Sequence, residues 1–280
     1  MKPWTNPIFL DLLRIALMED LLYGDATTEA VIADDANCRA RIVSKSECVI
    51  AGQNVAQAVF HEVDRKTQYH AVIEDGCHAS PGTEIATVQG NCRTILAGER
   101  IALNFFQRMS GIATMTRDIR KMIAHTECRI VDTRKTLPGH RILDKYAVRM
   151  GGGSNHRMGL GDGILIKDNH VDAAGGVAPA VHLARLRARH PLRIQVEVRN
   201  RDEAMAAVEA GAEALLLDNM QPAQVKDIVA GLKDSVFLEC SGTISHQNVI
   251  AYAETGIHMI SIGALTHSVK AADISLQFER

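Results

Sequence analysis

The stretch Ala214-Leu215-Leu216-Leu217-Asp218 decides the fold, because it is an apolar run that stops at a charged residue and the second half of the chain repeats this design. Helical stretches at 201–210 and 245–254 lie between such runs, and Gly211 and Gly256 follow them where a helix should end. The alternation of strand and helix predicts a parallel α/β barrel, whose ligands would lie at the carboxyl ends of the strands. The other five strand-like runs, each ending in a charged residue or a glycine, are residues 129–134, 164–167, 194–197, 236–242 and 259–263.

The first 124 residues have a different pattern. Residues 37–90 contain short alternating runs separated by Asp75-Gly76 and Pro81-Gly82, which predicts a small antiparallel or mixed sheet. Residues 91–124 lack proline and carry apolar residues at helical spacing, interrupted only by Ser110-Gly111, so we expect one long helix or a helix pair. The amino terminus predicts an amphipathic helix that places these side chains on one face: Phe9, Leu12, Leu13, Ala16 and Leu17.

Composition limits the class of protein. A chain of 280 residues with 46% hydrophobic content can bury a large core. The net charge of -2 and the 4% aromatic content give no general attraction to nucleic acid, and no stretch has the length or apolarity of a membrane span. The six cysteines lie far apart without zinc-site spacing, so we expect reduced thiols in a cytoplasmic protein that binds neither nucleic acid nor membrane.

Cations follow the first two barrel strands. Arg134 and Lys135 come directly after one strand, Arg157 lies beside a glycine-rich loop, and Lys167 ends the next strand. Each could be a solvated residue at the rim, but several cations converging on one mouth would repel each other unless a polyanion lay among them. Arginine and lysine together can orient a small dicarboxylate. For His156 alone, a hydrogen-bonded loop histidine is favoured over a ligand-binding role.

Carboxylates and glycines end the later strands. Glu197 and Asp218 end consecutive strands, so we expect both at the same rim. They could form salt bridges with the cations there, or hold ribose hydroxyls and Mg²⁺, and the two roles do not exclude each other. The turns 241–243 and 263–265 follow the last two strands, where parallel barrels commonly bind phosphate through backbone N–H groups; the alternative is a plain tight turn.

Taken together, these motifs resemble the quinolinate phosphoribosyltransferase family, also called carboxylating nicotinate-nucleotide pyrophosphorylase. The similarity extends through nearly the whole chain. The segments that carry it are Glu19-Asp20, 24–28, 98–104, 110–114, 132–139, 155–160, 165–170, 217–219 and 261–266.

The resemblance implies an α/β protein with an open parallel barrel and a smaller amino-terminal α/β sandwich. The implied sandwich domain is 1–112, joined by 268–280, and the barrel is 113–267. The implied reaction converts quinolinate and phosphoribosyl pyrophosphate to nicotinate mononucleotide, pyrophosphate and carbon dioxide, with Mg²⁺, in NAD biosynthesis. The enzyme is expected to be a homodimer, with a hexamer as an open alternative.

The resemblance also assigns the site residues. Arg134, His156, Arg157 and Lys167 would line the quinolinate pocket, with Arg100 contributed by the partner subunit. The phosphoribosyl pyrophosphate would be served by Thr133, Lys135, Glu197 and Asp218, and its 5′-phosphate by Ser241, Gly242, Thr243, Gly263, Ala264 and Leu265. Lys135, Glu197, Asp218 and Lys167 would act in catalysis, and Glu197 and Asp218 would hold Mg²⁺, partly through substrate. Thr243 departs from the glycine or asparagine that is more usual there, and Met150 from the more common cysteine.

Two other classes of function stay open at this point. A nicotinate-using phosphoribosyltransferase or a molybdenum-transport-associated paralogue would share the fold, although the segments 155–157 and 167–170 favour a substrate with two carboxylates. A non-catalytic phosphosugar-binding protein is the other alternative, and the retained cations and rim carboxylates oppose it.

Overall fold

A computed structural model describes residues 2–188 and 192–279. Residues 1 and 280, the outer limits of the predicted domains, lie outside the described residues. The strands are β1 (Asn37–Ser44), β2 (Cys48–Val49), β3 (Gln68–Ala71), β4 (His78–Ala79), β5 (Glu84–Asn91), β6 (Arg129–Val131), β7 (Ile164–Ile166), β8 (Ile194–Val198), β9 (Ala214–Asp218), β10 (Phe237–Ser241), β11 (Met259–Ser261) and β12 (Ile274–Phe278). The α-helices are α1 (Pro7–Leu21), α2 (Ala26–Val31), α3 (Gln53–Val63), α4 (Cys92–Met122), α5 (Arg141–Met150), α6 (Asp168–Ala174), α7 (Val177–Arg187), α8 (Arg201–Glu209), α9 (Pro222–Leu232), α10 (Val249–Ala253) and α11 (Ala264–His267).

The chain divides into two compact units. The first comprises Met1–Arg117, Thr136–Gly152 and Leu265–Arg280, and the second comprises Asp118–Lys135 and Gly153–Ala264. The units differ from the predicted domains mainly in residues 136–152, which group with the first unit. The exact domain boundaries stay a prediction.

The first unit contains an antiparallel sheet with strand order β12-β1-β5-β3. Its central strand β1 pairs with β5 on one side and with the carboxyl-terminal strand β12 on the other, where Ile42 lies opposite Leu276. Ala40 and Ile42 on β1 are fully buried, as are Ala86 and Val88 on β5, so these strands supply part of the core of the unit. The predicted small antiparallel sheet is therefore confirmed.

Helix α4 is a single helix from Cys92 to Met122, so Ser110-Gly111 does not interrupt it. Packing explains these two residues. The Ser110 hydroxyl accepts a hydrogen bond of 3.1 Å from the backbone N–H of Ala51. A Cβ at Gly111 would overlap the backbone carbonyl of Lys270, so the missing side chain allows a close approach of two backbones.

The second unit contains a parallel sheet of six strands in the order β6-β11-β10-β9-β8-β7. Strands β7 to β11 follow one another in sequence, whereas β6 pairs with the last of them. Within the described residues β6 and β7 do not pair with each other, so the barrel is open at this point. All six predicted strands are present, and the predicted open parallel α/β barrel is confirmed.

Side-chain alternation gives the barrel strands one apolar and one polar face. On β8, Ile194, Val196 and Val198 are buried, while Gln195 and Glu197 alternate with them. Residues that pair across neighbouring strands point to the same face of the sheet. Leu216 pairs with Glu197 on β8 and with Glu239 on β10, so the two glutamates lie on one face. The polar side chains of several strands thereby come to one face of the sheet.

The two helices predicted between the strands differ in outcome. The helix predicted at 201–210 is confirmed, and Asn200 caps it by accepting a hydrogen bond of 2.9 Å from the backbone N–H of Glu203. The helix predicted at 245–254 is shorter, because α10 begins at Val249. The Asn248 side chain instead accepts a hydrogen bond of 2.8 Å from the Ser245 backbone N–H, which stabilises a turn before the helix.

Candidate active site

Asp132, directly after β6, anchors the glycine-rich loop of the second unit. Its carboxylate is fully buried and accepts hydrogen bonds from the backbone N–H of His156 at 2.9 Å and from the Asn155 amide at 2.5 Å. Upstream, Ser154 N–H donates to the carbonyl of Ile130 at 2.8 Å. The loop that carries the predicted site residues is therefore held along the end of β6.

Arg134 and Arg157 lie close enough to affect each other electrostatically. Burial lowers the pKa of Arg157, the positive charge of Arg134 lowers it further, and the carboxylate of Asp162 opposes both effects. The Arg157 guanidinium donates a hydrogen bond of 3.0 Å to the carbonyl of Gly163. The structure thus brings together two of the cations predicted to bind a dicarboxylate.

The His156 ring is engaged at both nitrogen atoms. Its Nδ1 accepts a hydrogen bond of 2.8 Å from the backbone N–H of Arg157, and its Nε2 lies 3.5 Å from Oε2 of Glu239. A hydrogen-bonded loop histidine, which the sequence favoured, is what the structure contains. Burial alone would raise the pKa of Glu239, but the His156 ring, the Gln195 amide and the Ser261 hydroxyl outweigh it and lower this pKa.

Lys167 and Glu197 form an ion pair. The ammonium of Lys167, just after β7, lies 2.6 Å from Oε2 of Glu197 on β8. Backbone contacts also position Lys167, whose N–H donates to Nδ1 of His170 at 3.0 Å at the start of α6. The salt-bridge alternative for the rim carboxylates is therefore present for Glu197.

Asp218, the last residue of β9, is held by its neighbours. The Ser241 hydroxyl donates to Oδ1 at 2.9 Å, and the Asn219 amide donates to Oδ2 at 2.7 Å. Gly242 follows with φ +99°, and a Cβ at this position would overlap the Asn219 side chain. Only glycine fits this turn without displacing Asn219.

Thr243 has φ +45°, an unusual backbone conformation for a β-branched residue.

Thr133 lies after β6, and its hydroxyl accepts a hydrogen bond of 3.0 Å from the backbone N–H of Lys135, whose side chain is exposed. Gly263 and Ala264, after β11, are half-buried in the second unit.

Arg100 and Leu265 belong to the first unit. Arg100 is exposed on α4, whereas the Leu265 side chain is fully buried, so Leu265 can offer a ligand only its backbone.

Two carboxylates at adjacent strand ends suit Mg²⁺, which commonly binds one or two carboxylates together with substrate oxygens and water. Glu197 and Asp218 provide such a donor set on β8 and β9. Among residues 2–188 and 192–279, no three His, Cys, Asp or Glu side chains cluster as an all-protein metal site. The residues present therefore fit a metal that is held partly by substrate.

Sequence reasoning missed Asp132, Gln195 and Glu239 as parts of the site. The available signal was a polar residue within or directly after a buried strand, since such residues are rarely buried without partners. All six cysteines are free thiols, and no described helix is both long enough and apolar enough to cross a bilayer.

Comparison with known proteins gives matches over nearly the whole chain. Residues 25–110 match the amino-terminal domain and residues 112–277 the carboxyl-terminal domain of quinolinate phosphoribosyl transferase. The nicotinate-nucleotide pyrophosphorylase [carboxylating] of Mycobacterium leprae is 43% identical over 274 residues, covering 95% of each chain. The probable nicotinate-nucleotide pyrophosphorylase [carboxylating] of Bacillus subtilis is 41% identical over 265 residues, covering 95% of this chain and 91% of the relative.

A solved structure extends the likeness to three dimensions. The nicotinate-nucleotide pyrophosphorylase from Francisella tularensis superimposes with a TM-score of 0.91 at 38% identity, over 97% of this chain and 96% of that one. With both domain models matched and relatives about as long as this chain, the protein belongs to the quinolinate phosphoribosyltransferase family.

Proposed function

We propose that the barrel rim of this enzyme binds quinolinate through Arg134, Arg157 and Lys167 and binds phosphoribosyl pyrophosphate beside it. The activity is that of the family, a phosphoribosyltransferase that forms nicotinate mononucleotide, pyrophosphate and carbon dioxide. The observation that carries the assignment of residues is the geometry at the strand ends, where Asp132 after β6 holds the backbone N–H of His156 at 2.9 Å and Lys167 after β7 lies 2.6 Å from Glu197. Burial lowers the pKa of Arg157 and the charge of Arg134 lowers it further, which supports a site with both guanidinium groups. Two guanidinium groups held together this way suit a ligand with two carboxylates.

The ribose and phosphates would lie along the later strands. Asp218 and Glu197 would hold ribose hydroxyls, and Thr133 and Lys135 would contact the pyrophosphate. The turns 241–243 and 263–265 would offer backbone N–H groups to the 5′-phosphate, and the tight fit of Gly242 against Asn219 supports a backbone shaped for close approach.

In the proposed mechanism, the ring nitrogen of quinolinate attacks the anomeric carbon as pyrophosphate leaves. Lys135 would stabilise the negative charge that develops on the leaving group. Mg²⁺, held by Glu197 and Asp218, would neutralise further phosphate charge when bound. Loss of the 2-carboxylate as carbon dioxide then leaves carbanion character next to the positive ring nitrogen, which the fixed cations around the pocket favour.

We further propose a homodimer in which Arg100 enters the site of the partner subunit. Arg100 is exposed, and several apolar side chains of α1 and the residues after it are also exposed, among them Ile15, Leu22 and Tyr23. A second copy of the chain would cover such an apolar surface. We place the enzyme in the cytoplasm, where six free thiols stay reduced.

A labelled substrate tests the function directly. The purified chain with phosphoribosyl pyrophosphate, Mg²⁺ and quinolinate labelled in its 2-carboxylate should release labelled carbon dioxide and form nicotinate mononucleotide. Omission of phosphoribosyl pyrophosphate or chelation of Mg²⁺ should stop release. Failure of the complete mixture, or preferential use of nicotinate in competition, would contradict the proposal.

A further inference from the structure

Glu239 is a buried carboxylate to which the proposed reaction assigns no task. It lies in the middle of β10, is 2% exposed, and accepts a hydrogen bond of 2.8 Å from the Gln195 amide. A buried charge is costly unless it is paired and hydrogen-bonded. Its titratable neighbour is the imidazole of His156, at 3.5 Å from Nε2 to Oε2.

The hydrogen bonds of His156 identify which ring nitrogen carries the proton. The backbone N–H of Arg157 donates to Nδ1 at 2.8 Å, so Nδ1 must present its lone pair. The proton of the neutral ring is therefore on Nε2, the nitrogen that faces Glu239. A doubly protonated ring would instead place an Nδ1–H against the N–H of Arg157, with two donors facing each other.

In this arrangement His156 has a structural role beside Arg157. Nδ1 accepts a hydrogen bond from the backbone N–H of Arg157, and Nε2 lies 3.5 Å from the buried carboxylate of Glu239. The guanidinium of Arg157 extends from this fixed backbone to the carbonyl of Gly163, 3.0 Å away. The direction of Arg157 therefore depends on the His156 ring, and the ring depends on Glu239.

We propose that Glu239 is a positioning residue of the quinolinate site, which holds His156 as the Nε2–H tautomer and thereby orients Arg157. Its effect on catalysis rests on the proposed function, whereas the tautomer is a property of the chain without substrate. On this basis His156 positions Arg157 and is not the group that protonates the decarboxylated carbon.

The tautomer is measured by ¹⁵N NMR of the histidine rings in the full-length protein without ligands at neutral pH, with His156→Gln identifying the signals. We expect an unprotonated Nδ1 and a protonated Nε2 at His156. In Glu239→Gln we expect this preference to weaken measurably, because the amide can present either an oxygen or an N–H to Nε2 and only the N–H of Arg157 then favours the Nε2–H form. An Nδ1–H tautomer or an imidazolium in the wild-type protein would overturn the proposal even if the variant failed to fold.

Kinetics tests the consequence for catalysis. Glu239→Gln should lower kcat/KM for quinolinate by about 10-fold or more, as loss of a supporting residue commonly does, while KM for phosphoribosyl pyrophosphate stays near that of the wild type. Glu239→Asp should restore part of the loss. Glu213→Gln is the matched control. Glu213 lies just before β9, and like Glu239 its carboxylate accepts a hydrogen bond of 2.8 Å from a residue on β8, here the N–H of Ile194.

Retention of both the tautomer and kcat/KM in Glu239→Gln would overturn the positioning role. Failure of the proposed function gives a different result, since the wild-type chain would then release no carbon dioxide from quinolinate. The His156 tautomer could still be measured in that case, and it would decide the role of Glu239.

Discussion

The ammonium of Lys167 lies 2.6 Å from a carboxylate oxygen of Glu197. The pair joins a cation predicted for quinolinate to a carboxylate predicted for phosphoribosyl pyrophosphate and Mg²⁺. Lys167 remains 46% exposed while Glu197 is only 12% exposed, so the lysine is the partner that can turn toward a ligand. Each charge neutralises the other in this structure. In the proposed function, binding would exchange this contact for contacts with substrate and metal.

Substitution of Lys167 tests this exchange. We expect Lys167→Ala to lower kcat/KM for quinolinate by about 100-fold or more, as removal of one transition-state contact commonly does. Its melting temperature should change little, because half-exposed ion pairs stabilise proteins weakly. Arg199→Ala is the matched control, since Arg199 forms an exposed pair with Glu203 at 3.1 Å. Near-normal activity of Lys167→Ala would remove this residue from the site.

The two neighbouring arginines should each be needed for turnover. We expect Arg134→Ala and Arg157→Ala to lower kcat/KM for quinolinate by about 100-fold to 1,000-fold, with circular dichroism spectra like that of the wild type. Arg201→Ala should keep normal activity, because Arg201 forms an exposed pair with Asp227 on the helices. Full activity in both pocket variants would refute the assignment.

Mixed subunits test the contribution of Arg100 across the dimer. Arg100→Ala and Lys167→Ala chains should each be inactive alone. A heterodimer of the two contains one site with both residues intact, so mixing should restore part of the activity. Absence of recovery in heterodimers verified by mass would argue against a shared site.

The backbone at Thr243 should be strained. A β-branched residue at φ +45° costs on the order of 1 kcal/mol or more, and glycine accepts this conformation freely. We therefore expect Thr243→Gly to raise the free energy of unfolding, measured in urea, by up to about 1 kcal/mol. The gain is reduced in part because glycine increases the conformational entropy of the unfolded chain. Gly242→Ala is the opposite control, because its Cβ would overlap Asn219, and it should lower stability. A less stable Thr243→Gly protein would show that the threonine is not strained.

Asp75 should make stability depend on pH. Its carboxylate accepts hydrogen bonds from the N–H groups of Gly52 (2.9 Å) and Gln53 (3.1 Å) and from the Tyr146 hydroxyl (2.7 Å), yet burial raises its pKa above the ordinary value of 3.8. Because the pKa is raised in the folded state, ionisation of Asp75 costs folding free energy. This cost is absent below pH 3.8, where the carboxyl is protonated in both states, and it grows as the pH rises through the folded pKa.

Asp75→Asn keeps the two N–H contacts and cannot ionise. Its free energy of unfolding should therefore improve relative to wild type as pH rises from about 4 to about 7. Asp75→Ala, which loses all three hydrogen bonds, should lower stability by about 2–4 kcal/mol at both pH values. Urea unfolding at the two pH values measures both variants, and a difference between Asn and wild type that does not vary with pH would contradict a raised pKa of Asp75.

Local sequence was sufficient to predict the strands of the barrel and the residues at their ends. An apolar run such as Leu215-Leu216-Leu217 has few alternatives to a buried strand, and Asp218 must then lie where the burial ends. The same reasoning placed Lys167 and Glu197 at one rim, because the carboxyl ends of parallel strands lie at the same edge of a sheet. Periodicity likewise predicted α4.

Only the tertiary structure decided which of these groups meet. The sequence indicated an interruption of the helix at Ser110-Gly111. In the structure the helix continues, and glycine fits at position 111 because the backbone of Lys270 approaches closely there. Glu239 was one polar residue in an apolar strand until the barrel brought it to His156. A local pattern reports whether a side chain is buried, whereas its hydrogen-bond partner comes from a distant segment, and that pairing is set by strand order and register, which periodicity does not contain.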